Sequence, residues 1–136
     1  MKTIRSGFTL LELMIGLVIV TVLASIAVPS FSKAIEKTKV KDAENVLAAI
    51  YSSEKIYRLD QSSYGSLAQL VAGNYVSDPD PGNTNTNWDF TTSGVGAGAF
   101  TATATRTGGR YNGQTIAVNQ NFNGATYNGN HPLRDS

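Results

Sequence analysis

The sequence has no cysteine and one histidine, His131. The first absence excludes a disulfide framework and any thiolate metal site. The second leaves His131, beside Pro132, with no cysteine, second histidine or obvious serine partner, so it reads as an exposed tail residue. Net charge is also scarce: eleven Lys and Arg against ten Asp and Glu leave +1. No strong field of either sign points to nucleic acid or to an acidic partner. No glycine-rich loop with a following lysine cradles a phosphate, because Gly94, Gly96 and Gly98 punctuate a turn rather than open a helix. No enzyme, cofactor or metal site is therefore expected. With 136 residues there is room for one small domain besides any membrane segment.

What the chain does have is a long apolar run. From Phe8 to Val28 the only ionisable side chain is Glu12. A run of about 20 residues is long enough to cross a bilayer as a helix. A carboxylate at mid-membrane costs about 2.5–3.5 kcal/mol on insertion scales, so it needs a reason. One reading is a secretory signal cut near Ser25-Ile26-Ala27, which would release a secreted binding domain. Glu12 sits badly in such an apolar region, and the run is longer than usual. A second reading is an uncut anchor. Lys2 and Arg5 precede the run while Lys33, Lys37, Lys39 and Lys41 follow it, so charge does not set its orientation.

A third reading uses all of these features. Gly7 followed by Phe-Thr-Leu-Leu-Glu, after a short basic leader and before an apolar run that ends at Pro29, resembles the cleavage and methylation signal of type IV pilins and of type II secretion pseudopilins. The resemblance is strongest over residues 1 to about 31. It implies that a prepilin peptidase cuts between Gly7 and Phe8 and methylates the new amino terminus of Phe8. Glu12 then becomes the fifth residue of the mature chain, the family's assembly glutamate, which pairs with the Phe8 amine of a neighbouring subunit. Snorkelling of Glu12, or pairing with its own chain's amine, stays open beside that. Pro29 falls where the family has a helix-interrupting proline, and it has no N–H to donate to the Ser25 carbonyl, so a helix break is expected there.

The resemblance also implies an organisation: residues 1–7 as leader, 8–34 as membrane and assembly helix, and 35–136 as a globular pilin-like domain. The implied fold class is α+β, a long N-terminal helix packed on a small antiparallel sheet. The implied function is a structural subunit of a type IV pilus-like filament, a homo-oligomer packed through its N-terminal helix. A type II secretion pseudopilin is the alternative within the family. The partners are then the prepilin peptidase and an inner-membrane platform with its ATPase. The precursor would cross the inner membrane once, and the filament would be periplasmic or extracellular. Major pseudopilins often carry an acidic calcium site in their C-terminal loops. Beyond Asp89 the only acid here is Asp135, which favours the pilus reading.

The residues after Pro29 support this outline on their own. Val40, Ala43, Leu47, Ile50, Tyr51 and Tyr57 share one helical face, with Val46 at its edge. No glycine or proline interrupts residues 30–60, so one helix is expected to run on to about Leu59. Lys33, Lys37 and Lys41 form a stripe that reads as a solvated face, or as a contact with lipid or an acidic neighbour. Glu54 lies inside the apolar stripe, and Arg58 one turn on is its expected partner. Ser66 and Gly73 bracket a short helix.

Three strands are expected, around Trp88 and Phe90, around Phe100, Ala102 and Ala104, and around Ile116 and Val118. Asn112-Gly113, Asn123-Gly124 and Asn128-Gly129 mark turns, and the tail from Gly124 to Ser136 reads as irregular. Asp78, Asp80, Asn83 and Asn85 do not match a calcium loop. A DNA-uptake pilin is a rival reading, in which Arg106 and Arg110 near a hairpin would hold phosphate, but two arginines are thin material for that and nucleic acid is not the favoured partner.

Overall fold

The structure, a computed structural model, describes residues 7–82, 84 and 87–129, with the Pro29 side chain left aside. The leader residues 1–6, Asn83, Asn85 and His131 lie outside the described residues. The chain divides into two compact units, Met1–Ile35 and Glu36–Ser136.

The first element, α1, runs Leu10–Gln61, 52 residues without interruption. The break expected at Pro29 is absent. Proline removes one backbone bond, whereas the turns on either side keep theirs, and one missing bond does not stop a helix that is already nucleated. The hydroxyls of this stretch are absorbed by the helix itself. Thr21 Oγ1 donates to the Val18 carbonyl at 2.8 Å, Ser25 Oγ to Val22 at 2.7 Å and Ser32 Oγ to Val28 at 3.1 Å. Such back-bonding satisfies these three hydroxyls without water in an apolar segment.

From Glu36 onward α1 is amphipathic. Val40, Ala43, Leu47 and Ile50 are buried, and Val46, Tyr51 and Tyr57 pack at the edge of the same core, as the periodicity predicts. The short helix α2, Leu67–Ala72, starts in a capping box. Ser66 Oγ accepts the Gln69 N–H, and Gln69 Oε1 accepts the Ser66 N–H. Gly73 closes it.

Four strands follow: β1 (Trp88–Ser93), β2 (Thr101–Arg106), β3 (Thr115–Asn119) and β4 (Thr126–Asn128). They pair antiparallel in the order β1-β2-β3-β4, a meander. The fourth strand corrects the sequence reading, which left residues from Gly124 on as irregular. Tyr127 pairs opposite Ile116, and a three-residue strand is too short to show alternation in sequence. The inward side chains alternate as expected: Trp88 and Phe90 on β1, Ala102 and Ala104 on β2, Ile116 and Val118 on β3. With Phe100, Tyr64 and Leu70 they form one core with the α1 face. Burying such a large apolar side chain stabilises the fold by about 1.5–3 kcal/mol.

Candidate assembly site at the N-terminal helix

Gly7 and Phe8 precede α1 in exposed backbone, and Phe8 keeps 85% of its surface. A side chain built on Gly7 would meet nothing within 4 Å among the described residues. Every described residue from Gly7 to Val28 is exposed. Leu10, Leu11, Leu13, Leu17 and Leu23 each keep more than half of their surface, on all sides of the helix. The helix is long and apolar enough to cross a membrane by length and composition, and its apolar surface is uncovered on all sides.

Glu12 is the one acid in that surface, and the structure gives it a local role that the sequence reading missed. Glu12 Oε2 accepts the Thr9 N–H at 2.9 Å and the Thr9 hydroxyl at 2.8 Å. In return the Glu12 N–H donates to Thr9 Oγ1 at 3.2 Å. This is a capping box, with Thr9 as N-cap and Glu12 at the third helical position. Its signature, threonine then glutamate three residues on before an apolar run, was present in T-L-L-E. The box leaves Oε1 without a partner among the described residues. The carboxylate is thus oriented by its own helix start and still has an oxygen to offer.

A second constellation lies at the start of the Glu36–Ser136 unit. Arg106 is 4% exposed. Its Nη2 stands 3.2 Å from both oxygens of Glu36, and its Nη1 donates to the carbonyls of Asn87 at 2.8 Å and Thr107 at 2.7 Å. Lys39 Nζ reaches Glu36 Oε1 at 2.9 Å. Burial pushes the Glu36 carboxyl up, but the Lys39 hydrogen bond and the charges of Arg106 and Lys39 outweigh it and hold the group below its ordinary value. Trp88 Nε1 donates to the Lys39 carbonyl at 2.9 Å. One helical turn further, Glu44 takes the Tyr127 hydroxyl and Lys41, and Tyr127 is pushed up to about 12 by burial and by the Glu44 carboxylate.

Arg106 is therefore a structural cation and not a surface arginine, so it is not available to phosphate. Arg110 is exposed, over the Tyr111 ring.

The expected pair between Glu54 and Arg58 is also corrected. Glu54 is fully buried and accepts the Gly65 N–H at 2.9 Å, while its Oε1 has no partner among the described residues. Arg58 instead donates to the Tyr64 hydroxyl at 2.8 Å and lies over that ring. An i,i+4 spacing brings two side chains onto one face, but Glu54 points into the core and Arg58 to its rim. Burial pushes the Glu54 carboxyl up, with the Gly65 N–H opposing it. Among the described residues no cluster of His, Asp and Glu could hold a metal ion. Asp78 Oδ1 accepts the Asp80 N–H, an Asx turn.

Comparison with known proteins agrees with this arrangement. Residues 2–28 match the model of the prokaryotic N-terminal methylation motif. Residues 29–115, well over half of the chain, match the model described as type IV minor pilin ComP, DNA uptake sequence receptor. The type IV major pilin PilA of Myxococcus xanthus is 39% identical over 46% of this chain and 28% of its own length. The fimbrial protein EcpC of Eikenella corrodens is 31% identical over 57% of this chain and 54% of its own. The type II secretion system core protein G of Dickeya chrysanthemi is 39% identical over 51% and 45%. The chain spans about half the length, or less, of the curated relatives it matches.

Proposed function

The chain belongs to the type IV minor pilin ComP family and is a pilin-like protein, and from that premise we propose how it is processed and assembled. It is a structural subunit of a helical filament, made as a precursor that crosses the inner membrane once. A prepilin peptidase cuts between Gly7 and Phe8 and methylates Phe8. Residues 8–34 then serve as membrane and assembly helix, and 35–136 as the globular domain.

The observation that carries this reading is the lone oriented carboxylate in an uncovered apolar helix. Burial of the apolar side chains against neighbouring copies drives packing. Glu12 Oε1 is free to meet the Phe8 amine of another copy. A copy docked at the wrong height would leave that charge unpaired, at a cost of about 3–5 kcal/mol in a buried setting. Glu12 thereby sets register. Its retention supports incorporation within the shaft of the filament, which is compatible with membership of a minor-pilin family.

Mass spectrometry of the mature amino terminus tests the processing. N-methylated Phe8 supports it, whereas a chain starting at Val28 would make the apolar run a discarded signal. Glu12→Ala tests the register: processed, membrane-retained protein without filaments is expected, and normal filaments would remove that role.

The matched family's name favours DNA capture as a second reading. With Arg106 committed to Glu36, a phosphate contact would fall to Arg110. A salt-dependent DNA shift that disappears in Arg110→Ala would support this reading, and its absence at low salt would remove it.

A further inference from the structure

Three Asn-Gly steps lie in the described sheet region, at Asn112, Asn123 and Asn128, and all three asparagines are exposed. Asn-Gly is the step most open to spontaneous deamidation, because glycine leaves its own nitrogen unshielded toward the preceding side chain. The reaction needs that nitrogen to reach the asparagine carboxamide carbon, so the local structure decides which of the three reacts.

Asn112 is locked. Its Oδ1 accepts the Gly108 N–H at 2.8 Å, and the Gly113 N–H donates to the Arg106 carbonyl at 2.8 Å. Both reacting groups are therefore held, and away from each other. Asn128 is held by its backbone, paired opposite Thr115 in β4. An extended strand keeps a side chain on the sheet face, apart from the following nitrogen.

Asn123 has none of these restraints. The turn before it is pinned: Phe122 N–H donates to the Asn119 carbonyl, Asn121 N–H to Asn119 Oδ1, and Lys55 Nζ to the Gln120 carbonyl. Asn123 and Gly124 themselves make no hydrogen bond among the described residues, and Gly124 has φ +103°, open to glycine alone. They form the free tip of the β3–β4 loop.

We infer that Asn123 is a site of self-modification, a slow deamidation that gives each subunit one more negative charge as it ages. The Gly124 nitrogen attacks Cγ of Asn123, the Cγ–Nδ2 bond breaks, and ammonia leaves with the amide proton. The product is a five-membered imide. Water then opens it at either carbonyl, giving aspartate or isoaspartate at position 123, with no change of oxidation state. The isoaspartate product carries one extra methylene in the backbone, next to Phe122, whose ring lies 4.8 Å from that of Tyr51.

The test is to hold the purified full chain in detergent at 37 °C across mildly alkaline pH and map peptides by mass spectrometry over days. Aspartate and isoaspartate should accumulate first at Asn123, faster at higher pH. Asn112 should lag by roughly tenfold or more, the protection expected from two hydrogen bonds. In denaturant the three sites should react at similar rates, and Asn123→Gln should abolish the acidic form on isoelectric focusing. Equal rates at the three sites in the folded chain, or a faster Asn112 or Asn128, would overturn the assignment.

Discussion

Arg106 and Glu36, 70 residues apart in sequence, form an ion pair in which the guanidinium is buried and the carboxylate is partly open to water. The two ends of the pair are not equivalent. Arg106 has two backbone carbonyls besides Glu36, whereas Glu36 has a second cation in Lys39.

Removing each partner should therefore cost different amounts. Glu36→Gln leaves a buried guanidinium without its counter-charge and should lose about 3 kcal/mol. Arg106→Met leaves Glu36 with Lys39 at the rim and should lose about 1 kcal/mol. Denaturant titration of the full chain in detergent, followed through the single tryptophan Trp88, reads both. Equal losses would show that the asymmetry has no energetic weight.

Glu54 should give the domain an unusual pH response. Its folded carboxyl titrates above the ordinary value of about 4.3. The stability linked to it is fully present below that value and is lost as pH rises through the folded value. Glu36 acts oppositely, adding stability above its ordinary value that is lost as pH falls through its lowered folded one. Glu54→Gln should erase the loss on the alkaline side and gain about 1 kcal/mol at pH 8. An unchanged slope in the variant would contradict this.

Gly65 is required for space. A Cβ there would stand 2.9 Å from Tyr57 Cε1, and its N–H holds Glu54. Gly65→Ala should cost about 1–3 kcal/mol by displacing the Tyr57 ring, which packs edge-on against Tyr75. Thermal unfolding measures it, and a neutral variant would mean that the ring moves without cost.

Thr9 should protect the start of α1. Thr9→Val removes the hydroxyl that accepts the Glu12 N–H and donates to its carboxylate, a cap worth about 1 kcal/mol. Amide exchange at Glu12 and Leu13 should speed up by roughly fivefold, with residues beyond the second turn unaffected. Unchanged exchange would show that Glu12 is held by other means.

Much of this architecture was legible in the sequence because it rests on periodicity. The apolar stripe from Val40 to Tyr57, the Trp88, Ala102 and Ile116 alternations and the Ser66 start of α2 all follow from local patterns. Long-range partnerships were not legible. That Arg106 turns inward to Glu36, that Glu54 meets a backbone N–H and not Arg58, and that Tyr127 reaches Glu44 depend on which strand lies over which turn of α1. The Pro29 break was read too strongly, since one missing bond is a weak signal against two intact flanks. The Thr9–Glu12 box was legible in T-L-L-E, where threonine precedes glutamate by three residues at the start of an apolar run.

The ties of α1 to the sheet and its β3–β4 loop are spread along the helix and differ in kind: an ion pair at Glu36, an indole at Lys39, a phenol at Glu44 and an ammonium at Lys55. A pull on the helix along its axis would load them in shear and share the force among several strands, where a single latch would yield at once. A domain tied this way resists tension in the manner of a lap joint, whose strength grows with the length of the overlap.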